Sequence, residues 1–543
     1  MGSRFLIWGF SFLFLTGNIQ ASFLVKQYRR GEEIKIISVS EYSQSTDGYT
    51  LLKSIPYILS EGPESSQFVY EEIIFENQDA LPDDYREFYE ANHLRVPEAP
   101  EGAELKTIIQ QGPPKNRINL TIVGDGYTND EKDKFFQDAG RISQDLFKAQ
   151  AFSSYLPLFN IFAVFVPSND SGISDLEKKD TAFGLYRSPP GSKRAIMPGN
   201  TAAIERALSV APATDFPIVI ANDDFYGGLG GRYAISTRSV LSGSVVLRHE
   251  LGHNFGDVGE EYDGGYVYRG ANFSSRKNFR WANWADGDVQ VYDSKFISGE
   301  YVWQNLHNHP FKTRIEVPAP SEAGPYQLFI RLSGVGWTSP GDVNAFIDGN
   351  PITFEGLYTP DRSFFDVKPL LSLSPGSHNL EVKEMTEDEN KVLAFAQVTA
   401  NRPDYDYTPN KIAAFATFDD SGNFVGYRPT DDSCLMRNMR SPFFCAIDKE
   451  NMWIRFLNRV DLIDSVEIEA GRKVQLKAAP LKDLSVHWFK LENGEETELE
   501  ELRDKREWNG EQATGKFRVR VEFKTPEVRT YTKRFTSLRE FQL

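Results

Sequence analysis

Hydrophobic positions along the chain change their spacing several times, and each change marks a different kind of element. From Phe23 to about Leu105 short alternating segments such as Glu33 to Ser38 are separated by acidic, proline-containing connectors, which predicts a small β-rich domain. The texture then shifts. Ile118 to Val123 is an unbroken apolar run, the signature of a strand buried on both faces, and it ends in the turn Gly124-Asp125-Gly126-Tyr127. Thr128 and Glu131 have the spacing of a capping box, and Phe135, Ala139, Ile142 and Leu146 then recur along one helical face. Strands at Ile161 to Val166 and Pro217 to Ala221, with a helix at about Thr201 to Val210 between them, complete an α/β pattern.

After Pro310 the rhythm changes again. Pro318, Pro320, Gly324 and Pro325 punctuate a linker, and alternating strands follow at Tyr326 to Leu332, Val343 to Ile347 and His378 to Met385, with Asp348-Gly349 as a hairpin turn. This predicts a β-sandwich over residues 310–400. Met452, Phe456, Leu457 and Val460 fit one face of a helix, and clean alternation at Ser485 to Leu491 and Phe517 to Phe523 predicts an immunoglobulin-like β domain over residues 465–543. The acidic stretch from Glu492 to Asp504 reads as a solvated loop or short helix.

A chain of 543 residues is too long for one hydrophobic core, which agrees with several domains. With 25% charged and 40% hydrophobic residues, most of it is expected to fold. The net charge of -17 repels phosphates and anionic lipid, so nucleic acid is not an expected partner. Arg4 followed by the apolar run Phe5 to Leu15 reads as a signal peptide over residues 1–21, which predicts secretion, or export to the periplasm if the source is bacterial. That run is too short for a transmembrane helix, and no other stretch is long enough, so no membrane span is expected. In an oxidising compartment the two cysteines, Cys434 and Cys445, are expected to pair. Asn119, Asn169 and Asn272 lie in N-x-S/T sequons, acceptors for glycan if the source is eukaryotic.

The string from Ser244 to Tyr262 carries the chemistry. His249-Glu250-Leu251-Gly252-His253 is an HExxH motif. On a helix its two histidines lie one turn apart on one face, able to share a cation, while Leu247, Leu251 and Phe255 cover the core side. Glu250, beside the first ligand, is placed to take a proton from water instead of binding metal. Zinc suits imidazole and carboxylate donors with one position left open. Gly256 follows His253 by three, where the helix is expected to stop and turn, and a third ligand is expected just beyond. Spacing leaves both Glu260 and Glu261 open for that role, with Glu261 slightly preferred. His307 and His309 would share a face in a strand, but no third ligand is placed beside them.

The extended motif resembles the metzincin pattern, with Gly259 at the position where that pattern has its third ligand. With Gly124-Asp125-Gly126-Tyr127, Gly227-Gly228-Leu229-Gly230-Gly231-Arg232-Tyr233 and Cys434-Leu435-Met436-Arg437, the string makes the chain similar to the immunoglobulin A peptidase family of metallopeptidases, over about residues 115–300 and 400–460. The resemblance implies an α/β zincin, metzincin-like catalytic domain in two parts, residues 106–309 and 401–464, within a multidomain α+β chain that adds an N-terminal β-rich domain at 22–105 and the two β modules. It further implies one catalytic zinc ion, a protein or peptide substrate, Met436 in a tight turn beneath the metal, and an edge strand at Arg232, Tyr233 and Ala234 that pairs with the substrate. Tyr262 and Arg437 are near enough to the motifs to stabilise an oxyanion, although a structural role is favoured for each. Immunoglobulin cleavage does not follow from the family name, because specificity lives in clefts and loops outside the motifs.

Two other readings compete. In one the chain is a surface binding or adhesion protein whose β domains contact glycans or surface proteins and whose metal site is structural or vestigial. Glu250 argues against it, since a structural site has no use for a base beside its first ligand. In the other the chain is a zinc amidase acting on a non-protein amide such as a cell-wall peptide, with the same chemistry.

Overall fold

The computed structural model describes residues 22–30, 33–42, 49–58, 67–93, 99–148, 150–188, 190–191, 195–265, 267–388 and 390–543; the segment read as a signal peptide lies outside them. The chain divides into two compact units, residues 1–96 and 97–543. Among the described residues no helix is long and apolar enough to cross a membrane. The architecture is a mixed α/β multidomain chain with many sheets and few helices.

The first unit is a four-stranded antiparallel sheet of β1 (Ser22–Arg30), β2 (Glu33–Tyr42), β3 (Tyr49–Ile58) and β4 (Gln67–Phe75) in the order β2-β1-β4-β3, with one helix, α1 (Asp83–His93). Phe23 and Val25 pack with Phe75, Tyr85 and Tyr89 as its core.

The second unit is built on an eight-stranded sheet. Its strands are β5 (Glu104–Ile109), β6 (Ile118–Asp125), β7 (Phe159–Phe165), β8 (Tyr186–Ser188), β9 (Ala195–Met197), β10 (Phe216–Ala221), β11 (Gly228–Leu229) and β12 (Ala234–Thr237), in the order β5-β7-β6-β10-β12-β11-β9-β8. The central four, β7, β6, β10 and β12, run parallel. Every residue of β6, β7 and β10 is buried, which is what their unbroken apolar runs predict for strands covered on both faces. Alternation then sorts side chains by face. Leu120, Ile122, Ile161, Ile218 and Ala234 point to the core shared with α2 (Lys132–Lys148), α4 (Gly243–Gly256) and α5 (Ala446–Leu457). Val123, Val164, Val219 and Ile235 point the other way, to α3 (Thr201–Leu208).

The capping box before α2 is formed: the Thr128 amide donates to the Glu131 carboxylate at 3.1 Å. Helix α4 is buried on nearly all sides, Leu247, Leu251 and Phe255 lying in the main core. It runs through Gly256, and the left-handed cap is Asp257, whose φ is 52° and whose amide donates to the His253 carbonyl. The helix therefore ends one residue later than glycine placement suggests, on an Asp anchored by Arg269 at 3.0 Å.

Strands between Ser294 and Asn401 form two facing sheets around a separate core that includes Trp337, Leu332 and Phe365. One begins with Ser294–Glu300, upstream of Pro310, paired to Val392–Asn401. Asp348 and Gly349 both take positive φ in the hairpin turn between Val343–Ile347 and Asn350–Ile352. Beyond α5 there are two more sheets; Leu484–Glu492 and Lys516–Phe523 pair in the four-stranded one, and their inward residues Trp488, Val519 and Val521 join the main core. Part of the acidic stretch forms a strand, Glu495–Glu498, along Leu484–Glu492, because its exposed face suits carboxylates.

Candidate active site

Helix α4 presents His249 and His253 one turn apart, with ring centroids 4.9 Å from each other. Each ring is held by its Nδ1: that of His249 lies 3.2 Å from the Leu435 carbonyl and that of His253 lies 2.9 Å from the Val258 carbonyl. A carbonyl can only accept, so Nδ1 donates in each ring and Nε2 is the nitrogen turned towards a shared cation. Both Nε2 atoms face the same carboxylate. Glu260 sets one oxygen 3.2 Å from His249 Nε2 and the other 3.1 Å from His253 Nε2.

The two candidate glutamates thus part company. The preference for Glu261 is corrected: its side chain is fully buried, accepts from Asn272 Nδ2 at 3.0 Å, and groups with Cys434, Cys445 and Asp448 instead of the histidines. The cause is the backbone just before it. Gly259 and Glu260 donate to the carbonyls of Arg269 and Val267 at 2.9 and 2.8 Å, and a Cβ on Gly259 would run into that neighbouring chain. Glycine at this position allows the close approach that turns Glu260 towards the imidazoles and Glu261 away.

His249, His253 and Glu260 are one of two groups of metal-competent side chains among the described residues. Their chemistry fits a divalent cation: two imidazole lone pairs and a carboxylate converge at separations close to those of donors on one tetrahedral ion, about 3.3 Å apart. Without a cation the charges respond to one another. Burial works against protonation of His253, but the Glu260 carboxylate outweighs it and raises the imidazole to about 9; burial likewise opposes ionisation of Glu260, yet the two histidines hold its carboxyl well below the usual range.

Glu250 is turned out of this trio. Burial raises its carboxyl, and the nearby histidines only partly oppose that. It borders the glycine-rich loop, where a Cβ on Gly230 would overlap Glu250 Oε2. Gly230 belongs to the quoted glycine run, but only the folded chain brings it against the carboxylate.

Met436 is fully buried, and its sulfur lies where a Cβ on Gly252, between the two histidines, would touch it. The 434–438 segment is a tight turn, with the Arg437 and Asn438 amides donating to the Cys434 carbonyl. Arg437 faces Asp263 at 2.9 Å, and the Tyr262 ring lies over His249 with centroids 6.4 Å apart. His307 lies 3.6 Å from Glu384.

Three expectations are corrected here. The segment at Arg232, Tyr233 and Ala234 is not an edge: all three are buried, and β12 is flanked by β10 on one side and by β11, antiparallel, on the other. Cys434 and Cys445 are buried free thiols and not a disulfide; the Cys434 thiol donates to Asp448 at 3.0 Å and its sulfur accepts the Cys445 amide. Of the sequons, Asn119 and Asn272 are buried in hydrogen bonds and closed to glycan, while Asn169 is exposed.

Residues 107–283 match the model of the family described as IgA Peptidase M64, which bears out the likeness read from the motifs. No curated protein matches the chain. A crystal structure of a Paenibacillus sp. cycloisomaltooligosaccharide glucanotransferase complexed with cycloisomaltoheptaose aligns over 96% of this chain and 92% of its own at 10% identity, with a TM-score of 0.14, too low to indicate a shared fold.

Proposed function

We propose, from the match of residues 107–283 to the IgA Peptidase M64 family, that the chain is a zinc-dependent metallopeptidase that works outside the cytoplasm. The observation that carries the reading is the convergence of His249 Nε2, His253 Nε2 and the Glu260 carboxylate, with Glu250 beside them and not among them. His249, His253 and Glu260 would hold the ion. When bound, zinc acts as a Lewis acid and brings the pKa of its water to about 7.

The chain's own residues supply the rest. The Leu435 and Val258 carbonyls hold the imidazoles in one tautomer. Glu250, with a carboxyl raised by burial, is suited to take a proton from the attacking water and pass it to the leaving amine. The peptide bond gains hydroxyl at its carbonyl carbon and loses the C–N bond as that proton reaches nitrogen. Gly230 has no side chain, which leaves room for the Glu250 carboxylate against the glycine-rich loop. Secretion rests on the apolar run Phe5 to Leu15.

The test is Glu250→Ala in the full chain, assayed on a broad peptide library with metal content measured in parallel. Zinc is expected to stay bound while turnover falls by about 10²- to 10⁴-fold. Full activity in the variant would overturn the reading, and a zinc-loaded wild type inert to every peptide but binding glycans would favour an adhesion role.

A further inference from the structure

A second group of metal-competent atoms lies behind the first. Glu261, Cys434, Cys445 and Asp448 are all buried, and one donor atom from each falls within 4.8 Å of the others. They come from three separate segments: the loop leaving α4, the turn beneath the histidines, and the start of α5, where Cys445 is the N-cap residue. On a tetrahedral ion with metal–sulfur bonds near 2.3 Å and metal–oxygen bonds near 2.0 Å, donor atoms stand about 3.3–3.8 Å apart, so small side-chain shifts would close this set.

The cluster is also short of partners. Glu261 and Asp448 are fully buried, yet Glu261 Oε2 and Asp448 Oδ1 have no hydrogen-bond donor, and Asn272 Oδ1 beside them has none. Two buried carboxylates left with open lone pairs are costly unless a positive charge or a proton meets them. Arg428, the cation that acts on Glu261, is committed elsewhere, to Asp263 at 3.6 Å and to the Asp431 carbonyl at 3.2 Å. Cys434 Sγ accepts the Cys445 amide at 3.3 Å and Cys445 caps α5, but burial raises both thiols, so it is a bound cation that would draw off their protons.

We propose that Glu261, Cys434, Cys445 and Asp448 form a second metal site, a closed structural one for a thiophilic divalent cation such as zinc. Two thiolates select a soft cation, and four protein donors leave no place for a reactive water. Binding displaces the thiol protons to solvent. The ion would clip together the segments on which the histidine site rests, since the Glu261 amide donates to the Met436 carbonyl at 3.1 Å and the neighbouring Leu435 carbonyl orients His249. Nothing in it depends on the chain being a peptidase.

The experiment is elemental analysis and zinc-edge X-ray absorption on the full chain, purified under reducing conditions and loaded with zinc alone. Two zinc ions per chain are expected in the wild type, and one in each of the double variants His249→Ala/His253→Ala and Cys434→Ser/Cys445→Ser. The histidine variant should keep sulfur neighbours at about 2.3 Å, and the serine variant should lose them. Should the serine variant not fold, cobalt loading of the histidine variant is decisive: a thiolate-to-cobalt charge-transfer band supports the site. A single zinc with only nitrogen and oxygen neighbours, no thiolate band with cobalt, or a Cys434–Cys445 disulfide in the purified protein would overturn the proposal.

Discussion

Gly230 touches the proposed base and little else, so its missing side chain bears on the proposed chemistry more than on stability. Its Cβ would meet Glu250 Oε2, the far end of a side chain that can swing aside, and not a rigid backbone. Gly230→Ala is therefore expected to fold and to keep its metal, with a thermal midpoint near that of the wild type. With Glu250 as the proposed base, turnover should still fall by about 10- to 100-fold, because a carboxylate displaced by about 1 Å loses its alignment with water. Steady-state kinetics beside metal analysis and calorimetry checks this, and a loss of stability in step with activity would contradict it. HExxH was legible because helical spacing alone puts His249 and His253 on one face. Gly230 was not, since its meaning depends on a contact twenty residues away in sequence, and neither was the choice between Glu260 and Glu261, which turns on how closely Gly259 approaches the chain at Val267 to Arg269.

Between elements, the sandwich inserted between α4 and α5 is fastened to the segment before α5 by charge. Arg331 on the strand Gln327–Val335 holds Asp366 of its own sheet at 2.8 Å and Asp432, beside the Met436 turn, at 2.8 Å; Arg440 also reaches Asp366. Burial would raise the Asp432 carboxyl, but Arg331 holds it at about 2, below its ordinary 3.8. A folded-state value below the unfolded one stabilises at pH above about 4 and loses that contribution as pH falls towards 2. Acid titration should therefore weaken this attachment in that window, followed by a fluorescence change from Trp337 or its neighbours in the sandwich. Arg331→Met removes the cation that Asp366 and Asp432 share, leaving Asp366 to Arg440 and Asp432 to the more distant Arg437, and should cost about 3 kcal/mol at neutral pH, read by chemical denaturation. If the variant lost nothing at pH 7, the clamp would carry no net stability. Elements of this region followed sequence rhythm where the runs were long, as at Val343–Ile347. The two-residue strand β11 escaped, being too short for any periodicity, and with it the fact that β12 is an interior strand and not an edge.

Across the second unit the hydrophobic core does not stop at α5. Trp453 on α5 is 1% exposed; its ring lies 4.7 Å from Tyr155 on one side and 4.9 Å from Phe523 of the C-terminal sheets on the other. Its indole N–H donates to Glu527 at 2.8 Å, and that carboxylate also accepts from Ser154 and Lys449. Helix α5 is thus a shared wall: Phe456 and Asn451 touch α4, while Trp453 faces the last strands. Strand alternation revealed a β module at the C-terminus, but only the packing reveals that it completes the hydrophobic core under the histidine helix. A chain ending at residue 464 would expose Trp453 and strand the Ser154, Lys449 and indole donors, so it is expected not to fold to a metal-binding form. Trp453→Ala in the full chain should cost about 3–5 kcal/mol and lower metal affinity with it, because the wall that supports α4 gives way. Phe523→Leu, which keeps most of the apolar volume, should cost about 1–1.5 kcal/mol and leave metal binding intact. Denaturant unfolding followed by zinc release distinguishes the cases: a truncated chain that still bound zinc tightly would show that the C-terminal sheets are an independent appendage to the site.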